Sequence, residues 1–197
     1  MFEQIGYSIQ KALKDLSFVS FAGGYAELLD TTGDEERVKY PASKEFKNGV
    51  WSGDYESLLP DGEERCIVFT DSQTDITVSS SNARYSVLII RFRVVVWFDE
   101  RKIEFEDSDQ YGDKMARVMQ EIINTVPGVK FPDFMKSRTV FESINADPLR
   151  IWAAYAPKPD DALFMAPYRT FAVTFRTTAW LANGCKLPTI ENVNACY

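Results

Sequence analysis

The chain has 197 residues and not one histidine. Ser-His-Asp and Cys-His activation of a nucleophile within the chain are therefore excluded, as are imidazole-ligated zinc or iron sites. Cysteine is nearly as scarce. Cys66, Cys185 and Cys196 are odd in number and follow neither metal-ligand nor disulfide-framework spacing. Three reduced thiols are expected, with a Cys185–Cys196 pairing left open. No run reaches the roughly 18 apolar residues of a membrane-spanning helix. The opening MFEQIGYSIQKALKDL scatters charge where a secretory signal would carry an apolar block. Basic residues are outnumbered, 22 against 29 acidic, and the formal charge of −7 argues against a broad nucleic-acid footprint. Gly23-Gly24 is too little for a phosphate loop, since no GxxxxGK[ST] occurs and no strand is expected before it.

What is present is strand-forming sequence. Tyr85 to Phe98, YSVLIIRFRVVVWF, contains no Gly, Pro or acidic residue, and from 88 onward Leu88, Ile90, Phe92, Val94, Val96 and Phe98 fill its even positions. Period two with one wholly apolar face predicts a long strand. Tyr168 to Leu181 repeats the pattern, with Phe171, Val173 and Phe175 facing Thr170, Thr174, Arg176 and Thr178. Two amphipathic helices are predicted. One spans 2–16 and keeps Ile5, Ile9, Leu13 and Leu16 on one side, with Gly23-Gly24 expected to mark the end of helix. The other spans 109–126, with Ser108 or Asp109 as N-cap, Met115, Val118, Met119, Ile122 and Ile123 inward, and Pro127-Gly128 as the stop. Cys66–Phe69 and Asp75–Ser79 read as short strands, the second turning through Ser79–Asn82 into the long strand as a hairpin.

These elements predict an α+β fold: a mainly antiparallel sheet with two long strands (85–98, 168–181) covered by two amphipathic helices (2–16, 109–126). One domain over 1–182 is expected, with loop excursions at 43–64 and 129–167 and a C-terminal arm at 183–197. A short strand near 149–155 and a projecting loop around Lys158–Asp161 are expected inside the second excursion.

Candidate chemistry is thin. Asp99, Glu100, Glu104, Glu106, Asp107 and Asp109 crowd the connector 99–109, where oxygen ligands suit a hard cation, but a solvated acidic loop before a helix accounts for them better. Asp71 and Asp75 are the acid pair nearest to glycosidase chemistry. Arg91 and Arg93 on one long strand, with Arg176 on the other, predict a basic stripe that contacts an acidic neighbour or DNA. The competing reading is a half-exposed face whose arginine stems cover apolar surface. Trp51, Tyr55, Trp152 and Tyr155 are aromatic anchors for an interface or plugs at the core edge.

In the order of its elements the chain resembles the tail-terminator and tail-completion (neck) proteins of tailed bacteriophages. The segments that carry the resemblance are the N-terminal IGYSIQKALKDL, Lys39-Tyr40-Pro41, the strand SVLIIRFRVVVWF, the helix YGDKMARVMQEIINTV and a closing strand. The resemblance covers 1–16 and 66–181. It implies a non-enzymatic virion protein without cofactors or metal, made in the host cytoplasm, that forms a homo-oligomeric ring joining head and tail. A connector or tail tube would be its neighbour, and DNA could pass its lumen. The interface residues expected are Arg91, Arg93, Arg176, Trp51 and Tyr55. A soluble ligand- or carbohydrate-binding module stacking sugars on Trp51, Tyr55 or Trp152 is the alternative, and an enzyme working through Asp71, Asp75 and Asp107 is the third.

Overall fold

A computed structural model describes residues 2–30, 39–47, 50–71, 77–81, 85–105, 113–131, 135–155 and 161–182. The chain is α+β, with a mainly antiparallel sheet and three helices among these residues. In chain order the elements are α1 (Phe2–Lys14), β1 (Phe21–Tyr25), β2 (Glu27–Asp30), β3 (Lys39–Lys47), β4 (Val50–Ser57), β5 (Cys66–Asp71) and β6 (Thr77–Ser81). Then follow β7 (Tyr85–Asp99), α2 (Lys114–Thr125), β8 (Met135–Asn145), α3 (Pro148–Ile151) and β9 (Tyr168–Ala182). A six-stranded sheet runs β1-β5-β7-β9-β8, with β6 on the remaining length of β7, and β2-β3-β4 form a separate antiparallel sheet. Among the described strands only the β1–β5 pair is parallel.

Strand alternation places one face of β7 and β9 under the helices. Leu88, Ile90, Phe92, Val94, Val96 and Phe98 join Phe171, Val173, Phe175 and Ala179 there, and Ile5, Ile9 and Leu13 of α1 with Val118 and Ile122 of α2 close over them. Phe92 and Phe175, directly paired across the strands, stack at 5.7 Å between ring centres. α1 lies unusually close to β1: a Cβ on Gly6 would sit 2.7 Å from the Tyr25 backbone nitrogen, so glycine is needed there for contact, not for a turn. α2 starts at Lys114, capped by Asp113, whose side chain accepts from the Met115 N–H at 2.9 Å. The cap expected at Ser108 or Asp109 is thus displaced to Asp113, and those two residues lie outside the described ones.

The opposite face of the sheet has a core of its own. Ile67 and Phe69 of β5, Val95 and Trp97 of β7 and Ala172 of β9 are covered by Ile151, Trp152 and Tyr155, with Leu163 and Phe164 alongside. The cover comes from the expected excursion 129–167, which is far from structureless. Its first part is β8, hidden in the sequence because MKSRTVFESIN has no polar–apolar alternation: Lys136–Thr139 is a polar run and Val140-Phe141 stand side by side. The strand expected near 149–155 is instead α3 followed by a 3₁₀ turn over Trp152–Ala154. Asp147 accepts from the Leu149 and Arg150 N–H groups and Pro148 occupies the first turn, an N-terminal arrangement that favours helix over strand. Lys158–Asp160 lie outside the described residues, and Asp161 opens a further 3₁₀ turn.

Two other expectations give way. Gly23-Gly24 does not end the helix, which already stops at Lys14; the pair lies within β1, where a Cβ at Gly23 would meet Leu58, Ser43 and Phe69. The 43–64 excursion contains the end of β3 and all of β4, an antiparallel pair written largely in Lys, Ser, Gly and Asp, which hides it from an apolar-alternation search.

Candidate functional site

Arg91 and Arg93 point to the same face of β7, two residues apart, and meet different fates. Arg93 is 4% exposed. Its register partner on β5 is Asp71, and its guanidinium donates to both carboxylate oxygens, Nε reaching Oδ1 at 2.9 Å. Tyr155 donates its hydroxyl to Asp71 Oδ2, and Arg93 Nη2 reaches the Ile151 carbonyl at 3.3 Å. Burial, then the adjoining Asp71 carboxylate, pushes the Tyr155 hydroxyl far above its ordinary range. For Arg93 burial works against the charge, but the hydrogen bonds and charge of Asp71 outweigh it and the guanidinium is held even more firmly protonated. This is a buried tie that fastens α3 and its following turn to the sheet. Trp97 adds a second by donating Nε1–H to the Leu163 carbonyl at 2.8 Å. Arg93 therefore cannot belong to an exposed basic stripe, and Asp71 is an ion-paired structural carboxylate. Asp75 and Asp107, its expected catalytic companions, lie outside the described residues.

Beyond Arg93 the second core ends, and among the described residues the rest of that sheet face is partly exposed. Strand register builds it in rows across β7, β9 and β8: Val87–Trp180–Lys136, Ile89–Thr178–Arg138 and Arg91–Arg176–Val140. At strand spacings the patch measures about 14 Å along the strands and about 10 Å across. Trp180 is 39% exposed, Lys136, Arg138 and Arg91 are exposed, and Val87, Ile89, Val140, Thr178 and Arg176 are half-buried. A bulge between Phe141 and Ser143 brings Glu142 beside the arginines, where its carboxylate lies 3.1 Å from Arg91 Nε and 3.3 Å from Arg176 Nε. Among the described residues, four cations thus share this face with one carboxylate around an apolar centre, in a chain whose formal charge is −7. Lys136 and Arg138 have no ion-pair partner among the described residues.

Of the interface residues expected from sequence, the structure brings Arg91 and Arg176 together, directly opposite each other, and removes Arg93 into the core. Tyr55 is half-buried and donates to Glu27 Oε2 at 2.9 Å, tying β4 to β2. The side chain of Trp51 lies outside the described residues. Trp152, offered as a stacking platform, is 0% exposed and packs against Phe69 at 5.8 Å, so it presents no ring to a sugar. Sequence reading missed Lys136, Arg138 and Trp180. The first two sit on the unrecognised β8; Trp180 sits at the end of a recognised pattern, where its even position placed it on the arginine face.

Two further polar groups lie away from this face. Asp99 is inaccessible and accepts from the Arg101 backbone N–H, Nε and Nη2, while Arg101 lies over the Tyr168 ring. These hydrogen bonds hold the Asp99 carboxyl below its ordinary range and fix the turn leaving β7. The expected acidic connector thus begins as a closed turn, and its 106–109 portion lies outside the described residues. A cavity of about 480 Å³ between α1, β1 and β5 is lined by Gln10, Lys14, Ser20, Glu56, Glu64 and Ile67. Burial, then a hydrogen bond with Asp61, raises the Glu64 carboxyl above its usual range. Among the described residues no three His, Cys, Asp or Glu side chains converge as a metal site.

No protein-family model matches the chain, and no curated protein matches it in sequence.

Proposed function

We propose that the protein is a non-enzymatic structural subunit whose open basic half-face seats a neighbouring acidic surface, in the role of a ring-forming neck or tail-completion subunit of a tailed-phage virion. The observation that carries this reading is the half-face itself: Arg91, Arg176, Arg138 and Lys136 around Val87, Ile89, Val140 and Trp180. An exposed tryptophan on an apolar centre with a charged rim has the anatomy of a protein interface. The surplus of positive charge in an acidic protein favours a second copy as the neighbour, because each copy then offers both signs. β7 and β9, one face closed by two amphipathic helices, supply a rigid wall for repeated contacts. On this reading the ring meets a connector or tail tube, DNA passes its lumen without being read, and the protein acts in the virion after synthesis in the host cytoplasm.

Size-exclusion chromatography with light scattering, followed by negative-stain microscopy, tests this. Rings of defined mass are expected, and Trp180→Ala with Arg138→Glu should shift the population to monomer. A protein that stays monomeric across the accessible concentration range overturns the assembly role.

A further inference from the structure

β8 ends the six-stranded sheet, and among the described residues no strand pairs with its outer side. An eleven-residue edge is long for an unprotected one, since about half its backbone N–H and C=O groups face away from β9. Its side chains divide sharply between the two faces. Lys136 and Arg138 are exposed on the open basic half-face. Toward the helix-covered face the strand shows Phe141 at 42% and, past the bulge, Ile144 at 41% exposure. Lys136 and Arg138 side by side discourage pairing with a basic strand, and the bulge at Phe141–Ser143 limits regular pairing to the first part of β8. Both features leave open one class of strand, with negative charge on one face and apolar side chains on the other.

We propose that β8 accepts an added strand from a partner polypeptide in which acidic residues alternate with apolar ones. Backbone hydrogen bonds to this edge, which no described strand pairs, supply affinity, as in other strand additions. Acidic side chains opposite Lys136 and Arg138 select the partner, while apolar ones continue the surface beside Phe141. This inference deepens the docking reading above and rests on it, by giving the neighbour a form as well as a charge.

The probe is an acetylated and amidated octapeptide of alternating Glu and Val, with the alternating Lys-Val octapeptide as control, titrated into the full chain and followed by backbone amide NMR. The acidic peptide is expected to bind at least tenfold tighter than the basic one at low salt, with shift changes concentrated on 135–141. Lys136→Glu with Arg138→Glu should reverse that preference, and Phe141→Ser should weaken the acidic peptide without reversing it. Equal affinity for the two peptides, or shifts centred away from β8, overturns the proposal. Light scattering on the same samples separates the two readings. Rings without peptide binding sink the strand addition alone, whereas a monomer that binds the acidic peptide at β8 supports the strand addition and sinks the ring.

Discussion

At the residue scale, Arg93 shows how completely one neighbour can change the meaning of a charge. Its chemistry is that of Arg91, yet Asp71 across the strand and Tyr155 above it convert a surface cation into an internal tie. Removing one partner of such a pair leaves the other charge buried, at a cost of about 3–5 kcal/mol. Arg93→Ala is therefore expected to lower the urea midpoint sharply. Arg91→Ala, which loses only a half-exposed ion pair, should change stability by less than about 1 kcal/mol. A second prediction concerns acid. The Asp99 carboxyl is depressed in the folded chain by its hydrogen bonds from Arg101. A depressed carboxyl contributes stability above its unfolded value, and that contribution is lost as pH falls through the folded one. Thermal melts from pH 6 down should therefore show Asp99→Asn with a flatter loss of stability below about pH 4 than the parent chain.

Elements were legible where burial imposes a period and illegible where it does not. The runs in 85–98 and 168–181 are where β7 and β9 lie, because a face sealed by α1 and α2 demands an apolar residue at every second position. β8 is an edge strand with a bulge, β3 and β4 belong to a small polar sheet, and β1 is five residues long with two glycines. None of them needs an uninterrupted apolar face, so none leaves a strong pattern. α3 is ambiguous in the sequence for another reason: an apolar trio, Ile151-Trp152-Ala153, fits strand and helix alike, and the Asp147-Pro148 start decides it. The candidate site suffered most, since half of its basic rim lies on β8. One contact between elements yields its own prediction. Gly6→Ala forces α1 away from the Tyr25 backbone, which cannot yield as a side-chain end could. A loss of about 1–3 kcal/mol in chemical denaturation is expected, although alanine is the better helix former.

For the whole molecule, the sheet is a wall with two cores, one under α1 and α2 and one under the α3 segment, sharing β5, β7 and β9. Among the described residues the second core covers only part of its face, and the remainder carries Arg91, Arg176, Arg138 and Lys136 in an acidic protein. Assembly through that face should carry an ionic signature. Raising salt from about 50 mM to 1 M shortens the screening length from more than 10 Å to about 3 Å. Light scattering across that series should show assembly weakening for the parent chain, while Arg138→Ala with Lys136→Ala assembles more weakly at low salt and responds less to added salt.

The placement of the tryptophans adds an optical consequence. Trp97 and Trp152 are sealed in the second core, whereas Trp180 keeps 39% of its surface in water. In a Trp51→Phe background, acrylamide should therefore quench one indole of three. Docking of any partner on the half-face would shield that indole and move its emission to shorter wavelength. The protein thus carries its own fluorophore at the proposed contact, and binding can be followed in solution without attaching a dye.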